Sequence, residues 1–314
     1  MDINTNTDSI NSIKKISDVV EVERIMLTLT LKERIGKKHL KIAQAHNKKI
    51  NVYRIVYQSQ GHNVIGYIIE PKAGSKLPCI IYNRGGTGDF GMIKTGALFL
   101  DYLWVAQFAE WGYIVITTQY SGNAGGEGKD EMGGKDIADV LKLYKILKQY
   151  PKADTKNVGM YGESRGGMML YLALAKVRWI KAGVSVGGLS NLFRQEKLRP
   201  EMKKHYKKIF GGAYNEKKKR SAVFWANKFS KQIPLLLMHG SADDRVSPHD
   251  SLQLAGLLQD VGIPYKLIIF EGGSHSLQSH VNEAKNATKR WFNAYLKNSS
   301  KKMPLLQQRR IRTN

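Results

Sequence analysis

Three parts of the 314-residue chain carry the side chains of nucleophilic catalysis. The first is Gly162-Glu163-Ser164-Arg165-Gly166, a G-x-S-x-G pattern between the apolar runs "NVGMY" and "GMMLYLALA". A strand turning sharply into a helix there would expose the Ser164 hydroxyl, and the glycines would leave room where the two backbones approach. The helix start also leaves N–H groups without intrahelical partners, that of Arg165 among them, ready to bind an oxyanion. A serine hydroxyl is a weak nucleophile near neutral pH and needs a base held in place by a third group. Asp243 and Asp244 follow the apolar run "IPLLLMHG", and His275 follows "YKLIIFEGGS". The order serine, acid, histidine suits acyl transfer, and on spacing alone either aspartate could be the acid. A second oxyanion donor could come from Arg84-Gly85-Gly86, just past "CIIYN".

For these groups to meet, the apolar runs must be strands of one sheet, with each group beyond a strand's carboxyl end. "INVYRIVYQ" and "NVIGYIIE" read as a hairpin turning at Ser59-Gln60-Gly61-His62. The runs "PCIIYN", "GYIVITTQY", "NVGMYG", "KAGVSVG", "IPLLLMHG" and "YKLIIFE" then alternate with helices expected over about 96–111, 135–149, 164–176, 248–261 and 279–296. Unalternated apolar strands, each followed by a helix, predict an α/β fold with a mostly parallel sheet covered on both faces. One catalytic domain is expected over residues 50–298. The stretch of about 191–231 is too long for a plain connection and reads as a small helical insertion. Residues 1–49 read as a polar, disordered start followed by a helix over about 18–45, and residues 299–314 as a basic tail.

The chain carries 50 Lys and Arg against 26 Asp and Glu, a formal net charge of +24. That excess favours contact with anionic surfaces. The lysine clusters, however, lack the zinc-ligand spacing or aromatic interleaving of a nucleic-acid module, so they read as solvated faces and no specific nucleic-acid partner is expected. The single cysteine, Cys79, rules out an intramolecular disulfide framework and reads as buried and inert. The start "MDINTNTDSINSIKK" lacks the apolar core of a signal peptide. The apolar stretch "ALFLDYLWVAQFAEWGYIVITT" contains Asp101 and Glu110 and breaks at Gly112, which suits a helix and a strand rather than a membrane span. A cytoplasmic protein is the expectation, and oligomeric state has no readable signature. Asp136 and Asp139 read as helix-dipole and capping acids, His239 as structural and His280 as a surface group, so neither a metal nor a cofactor is expected.

At "YNRGG", "GYIVITTQYSGNAGGEGKDEMGGKDIADV", "MYGESRGGMM" and "RSAVFWANKFSKQIPLLLMHGSADDRVSP" with "YKLIIFEGGSHSL", the chain resembles the catalytic domain of the prolyl oligopeptidase family of serine peptidases. The resemblance spans about residues 52–296 and implies the α/β-hydrolase fold. It also implies a Ser164–Asp243–His275 triad, with Asp243 preferred over Asp244, and a contact from Arg245 to a substrate backbone carbonyl. Arg84 stands where the family often has a Tyr or His whose side chain can donate to the oxyanion. This departure leaves the second donor open between that side chain and the backbone of Arg84, Gly85 and Gly86. Glu163 could bind a substrate amine, pair with Arg165 or Arg84, or help position the turn. Family members of the oligopeptidase type carry a β-propeller ahead of the catalytic domain. Only about 50 residues precede Ile50 here, so a short member without a propeller is expected, and peptidase activity does not follow from the resemblance itself. The expected activity is that of a prolyl oligopeptidase-like serine peptidase or amidase acting on short peptides through an acyl-enzyme. A carboxylesterase or thioesterase is the nearer alternative, and a basic hydrolase-like scaffold binding nucleic acid or an anionic surface the more distant one.

Overall fold

The computed structural model describes residues 3–25, 44–93 and 99–297. Nine strands form one sheet: β1 (Val19–Arg24), β2 (Ile50–Ser59), β3 (His62–Pro71), β4 (Leu77–Asn83), β5 (Ile114–Thr118), β6 (Ala153–Glu163), β7 (Ile180–Val186), β8 (Leu235–Gly240) and β9 (Tyr265–Phe270). Their order is β1-β2-β3-β5-β4-β6-β7-β8-β9, antiparallel from β1 through β3 to β5 and parallel from β5 to β9. The hairpin joining β2 and β3 turns at Gln60 and Gly61, both at positive φ, as a two-residue connection requires.

Helices α1 (Ile3–Lys14), α2 (Phe99–Glu110), α3 (Ile137–Gln149), α4 (Arg165–Lys176), α8 (His249–Val261) and α9 (Val281–Phe292) cover the sheet. Successive strand residues serve opposite faces. Ile81 joins a core with Ile13, Leu143, Leu170 and Leu254, whereas its neighbours Ile80 and Tyr82 join a second core with Phe108 and Phe292. Both faces are therefore dry, which is why the parallel strands read as unbroken apolar runs. Cys79 lies in the first core, fully buried, and burial pushes its thiol pKa up, as expected of an inert cysteine. Among the described residues no helix is long and apolar enough to cross a membrane.

The N-terminal expectation needs correction. Residues 3–14 form α1, and residues 19–24 form a strand paired with β2 instead of the start of a helix. Ile10, Ile13 and Ile16 give the polar opening stretch an apolar stripe at helical spacing, and Ile13 and Ile16 are buried. Lys142 Nζ meets Asp18 at 2.8 Å, and Gln149 Oε1 accepts the Ser17 N–H, so α3 holds this segment against the sheet. Residues 44–49 are helical; the remainder of the proposed helix, 26–43, and the basic tail, 299–314, lie outside the described residues.

Between β7 and β8 lie α5 (Leu192–Leu198), α6 (Glu201–Phe210) and α7 (Tyr214–Arg220), followed by two single-turn helices at Ala222–Phe224 and Ala226–Lys228. Asn191 caps α5 by accepting the N–H groups of Phe193 and Arg194. Buried Asp250 of α8 accepts the N–H groups of Ser190 and Asn191 and pairs with Arg194 at 2.9 Å. At the other end, buried Arg220 donates to the carbonyls of Met132 and Glu131. These contacts fasten the helical layer to α8 and to the loop before α3.

A buried ion cluster holds the start of α4. The Arg165 guanidinium meets Asp130 through both Nη atoms, at 2.7 and 2.6 Å, and Asp136 at 2.8 Å. Its Nη1 also donates to the Gly86 carbonyl at 3.1 Å, and Tyr120 packs between this guanidinium and that of Arg84, 4.4 and 5.0 Å from the ring centre. Asp130 completes the bridge by accepting the N–H groups of Gly88 and Met132. Asp136 and Asp139 thus differ from their expected roles as capping acids. Asp136 makes no side-chain cap to α3 and holds Arg165 and the Gly133 N–H, while Asp139 accepts from the Ser121 N–H and hydroxyl.

Burial pushes the Asp136 carboxyl up to about 6 against the attraction of Arg165. For Asp130, burial also acts upward, but the charge and hydrogen bonds of Arg165 with the Gly88 and Met132 N–H groups hold it well below the usual carboxylate range. A lowered folded-state pKa gives stability that is present above the unfolded value, about 3.9, and lost as pH falls toward the folded one. Asp130→Asn should therefore destabilise the protein by about 2–4 kcal/mol at pH 7. In urea unfolding the gap from wild type should shrink as pH is lowered through 3.9; a gap that stays constant or widens down to about pH 3 would contradict this role for Asp130.

Candidate active site

Parallel registry brings the chemistry to one edge of the sheet. Asn83 of β4 pairs with Gly162 of β6, Glu163 with Val186 of β7, Val186 with Met238 of β8, and Gly240 with Phe270 of β9. The loops carrying Gly85, Ser164, Asp243 and His275 therefore leave the same edge. They border a cleft of about 1560 Å³, which α6 lines from above with Met202, Lys204 and Lys208.

Ser164 joins β6 directly to α4 with φ 52° and ψ −120°, a conformation that a residue with a Cβ rarely adopts. Its N–H donates to the Val186 carbonyl at 2.9 Å, and its own carbonyl accepts from Gly167 and Leu189. A Cβ on Gly162 would collide with the Gly166 carbonyl, and one on Gly166 with the Asn83 carbonyl. Each glycine permits an approach of strand to helix that any other residue would block. The expected strand–turn–helix is present, and Ser164 lies on the cleft.

His275 Nδ1 lies 2.7 Å from Asp243 Oδ2, just past the ends of β9 and β8. The other carboxylate oxygen, Oδ1, accepts the N–H groups of Arg245 and Val246, each at 2.9 Å. Burial would raise the Asp243 pKa, but the hydrogen bonds from His239, His275 and Val246 leave it well below the ordinary range. Asp244 is exposed on the cleft rim and is not the acid that meets His275. Ser164 and His275 face the same cleft, and among the described residues no hydrogen bond joins them.

The Arg84 side chain turns away from the cleft. Its four Nη contacts go to the carbonyls of Gly85, Phe90, Gly88 and Gln119, and burial lowers its pKa to about 10. It therefore braces the loop and cannot donate to an oxyanion beside Ser164, which corrects the side-chain option. The backbone option is compatible with the geometry, since a Cβ on Gly85 would lie 3.3 Å from that of Ser164. Arg165 heads α4, where its N–H has no intrahelical acceptor, while its guanidinium is held by the ion cluster. Glu163 and Arg245 both line the cleft; the Arg245 guanidinium is exposed, 5.9 Å from the Phe90 ring centre. His280 is bonded to the Glu271 carbonyl at the surface.

Two contacts near the site escaped sequence reasoning. Asp130 sits in a glycine-rich loop with other acids, and no local pattern distinguishes the one that reaches Arg165. His239, set aside as structural, lies fully buried with Nε2 3.0 Å from Asp243 Oδ2. The available signal was its place four residues before Asp243 at the end of an apolar strand. Among the described residues, no group of three or more His, Cys, Asp or Glu side chains is placed to hold a metal ion.

With this geometry, residues 100–299 match the model of the prolyl oligopeptidase family. The chain is 30% identical over 234 residues to the uncharacterized peptidase YtmA of Bacillus subtilis, covering 73% of this chain and 88% of that one. It is 27% identical to dipeptidyl-peptidase 5 of Porphyromonas gingivalis over 69% of its own length but 33% of the relative's. Among solved structures, a puromycin-hydrolyzing peptidase of Mycobacterium tuberculosis superposes with a TM-score of 0.66 at 25% identity, over 75% of this chain and 38% of that one. The acylaminoacyl peptidase of Pyrococcus horikoshii gives 0.66 at 22% identity, over 85% and 44%, a likeness that concerns the fold. The family match, the YtmA relationship and the α/β-hydrolase sheet lead to one assignment: the chain belongs to the prolyl oligopeptidase family and is an enzyme of the serine peptidase type.

Proposed function

We propose that the protein hydrolyses short peptides through an acyl-enzyme on Ser164, with His275 as general base and acid and Asp243 as its orienting partner. The observation that carries this reading is the 2.7 Å contact between His275 Nδ1 and a buried, donor-saturated Asp243, on the same cleft as a serine in a strained strand–helix turn. Ser164 Oγ attacks the scissile carbonyl and passes its proton to His275 Nε2. The C–O bond forms as the carbonyl becomes an oxyanion, which meets the N–H groups of Arg165 and Gly85. One such donor is worth about 3 kcal/mol in comparable enzymes. Collapse breaks the C–N bond, and the His275 proton leaves with the amine. Water, deprotonated by His275, then releases the acid and regenerates Ser164. Substrate is what brings serine and histidine into hydrogen-bond reach, since such contacts are often open in the unliganded enzyme. Throughout, Asp243 stays ionised and fixes the proton on Nδ1.

For the substrate, Arg245 supplies a donor to a peptide carbonyl from the cleft rim. Glu163, beside the nucleophile and on the cleft, receives the free α-amine of a short peptide. The names of the relatives define the panel for a test: aminoacyl, dipeptidyl and N-acylaminoacyl anilides, against p-nitrophenyl esters. Turnover of at least one anilide class is expected; turnover of esters alone would replace the peptidase reading with a carboxylesterase or thioesterase. Ser164→Ala and His275→Ala should each lower kcat at least about 10⁴-fold. Asp243→Asn should cost far more than Asp244→Asn, and equal losses would overturn the acid assignment. Glu163→Gln should raise KM for free-amine substrates and leave N-acylated ones unchanged. An equal effect on both would remove Glu163 from amine recognition.

A further inference from the structure

His239 ends β8 with no exposed surface, and its ring has one more partner than it needs. The Val246 carbonyl, an acceptor only, lies 2.9 Å from Nε2, so Nε2 carries the proton. The Ser251 hydroxyl, 2.7 Å from Nδ1, then donates to the unprotonated nitrogen. Those two contacts satisfy a neutral buried imidazole completely. The third, Asp243 Oδ2 at 3.0 Å from Nε2, is surplus to that requirement, and it falls on the oxygen that meets His275 Nδ1 at 2.7 Å. One carboxylate oxygen thus stands between two imidazoles, while its twin is held by two backbone N–H groups.

The other groups around His239 do not compete for this role. From α8, Ser251 is neutral, and the adjacent Asp250 turns its carboxylate to Ser190, Asn191 and Arg194. From β7 and its following loop the neighbour of Asp243 and His275 is Gly187, where a Cβ would stand 3.3 Å from Asp243 Oδ2 and from the His275 ring. The titratable groups facing Asp243 are therefore the two histidines.

Building on the proposed triad, we propose that His239 is a positioning residue of the reaction: its buried ring, with Nε2 3.0 Å from Asp243 Oδ2, holds that oxygen toward His275 Nδ1. A polar partner removed from beside a carboxylate leaves more of its charge to the remaining partner, which raises the pKa of an adjacent imidazole. Packing alone predicts no such effect.

The test compares wild type with His239→Leu, His239→Gln and Ser251→Ala. It measures kcat, KM, the pH profile of kcat/KM and labelling of Ser164 by a fluorophosphonate. His239→Leu should lower kcat about ten- to hundredfold, the worth of one close polar contact to a charged group, with KM within about twofold. Its acid limb should move upward by about half a pH unit as His275 becomes more basic. His239→Gln keeps an amide N–H near the place of Nε2 and should regain most of the loss. A folded His239→Leu that keeps kcat within about twofold, or Leu and Gln variants with equal losses and an unmoved acid limb, would overturn the proposal. If His239→Leu fails to fold, Ser251→Ala decides. It frees the ring to turn and should lower kcat about threefold with the same upward limb shift, and an unchanged profile overturns the role. Wild-type enzyme that does not label at Ser164 removes the triad itself. Wild type that labels, with variants labelling equally fast, removes only His239.

Discussion

The direct turn from β6 into α4 is the constraint on which the site depends. It forces Ser164 into φ 52° and ψ −120°, a conformation that costs on the order of 1–3 kcal/mol for a residue with a Cβ. Surrounding structure over-determines it. Glycines at 162 and 166 let strand and helix touch, the neighbouring strand accepts the Ser164 N–H, and Leu189 donates to its carbonyl. The next residue, Arg165, is locked by two carboxylates in the interior. The same guanidinium reaches the Gly86 carbonyl, so the turn and the loop facing it are built as one unit. The proposed oxyanion site, built on this unit, would need no rearrangement at the moment of reaction.

Charge in the interior is handled by saturating it. Asp243 has donors on both oxygens, Asp130 binds a guanidinium and two N–H groups, and Asp250 binds two N–H groups and Arg194. A buried carboxylate is tolerable only with such company. The outside follows a different rule. Residues 191–231 hold thirteen Lys and Arg against three Asp and Glu, and α6 turns Lys204 and Lys208 of this set toward the cleft. The positive charge is therefore partly gathered at the entrance, where its field acts on approaching substrate.

Much of this was legible in the residues. The parallel strands announce themselves because they are dry on both faces, and the turn at Ser164 because only glycine fits beside it. The sheet order and the level ends of β4, β6, β8 and β9 follow from long-range pairing and have no local signature. Polar residues conceal the N-terminal helix, since Ile10 and Ile13 of α1, with Ile16 just past its end, dock an otherwise hydrophilic stretch on the core. The strand after it is short and half exposed, with an edge strand's weak pattern. Arg84 misled for a related reason: its position in the chain suits an oxyanion donor, but its side chain is directed by four carbonyls that only the folded loop brings together. His239 and Asp130 are likewise set by contacts distant in sequence or hidden in a strand end, and an isolated residue type carries no information about them.

The central claim is covalent chemistry at Ser164, and the most direct measurement is to trap the intermediate. Mixing enzyme with a p-nitrophenyl ester of an N-acylamino acid, quenching in acid within the burst, and digesting for mass spectrometry locates the acyl group. The account predicts a burst of nitrophenol close to one per enzyme, with the added mass on the peptide containing Ser164 and none in Ser164→Ala. Turnover with the acyl group on another residue, or an equal burst in Ser164→Ala, would contradict it.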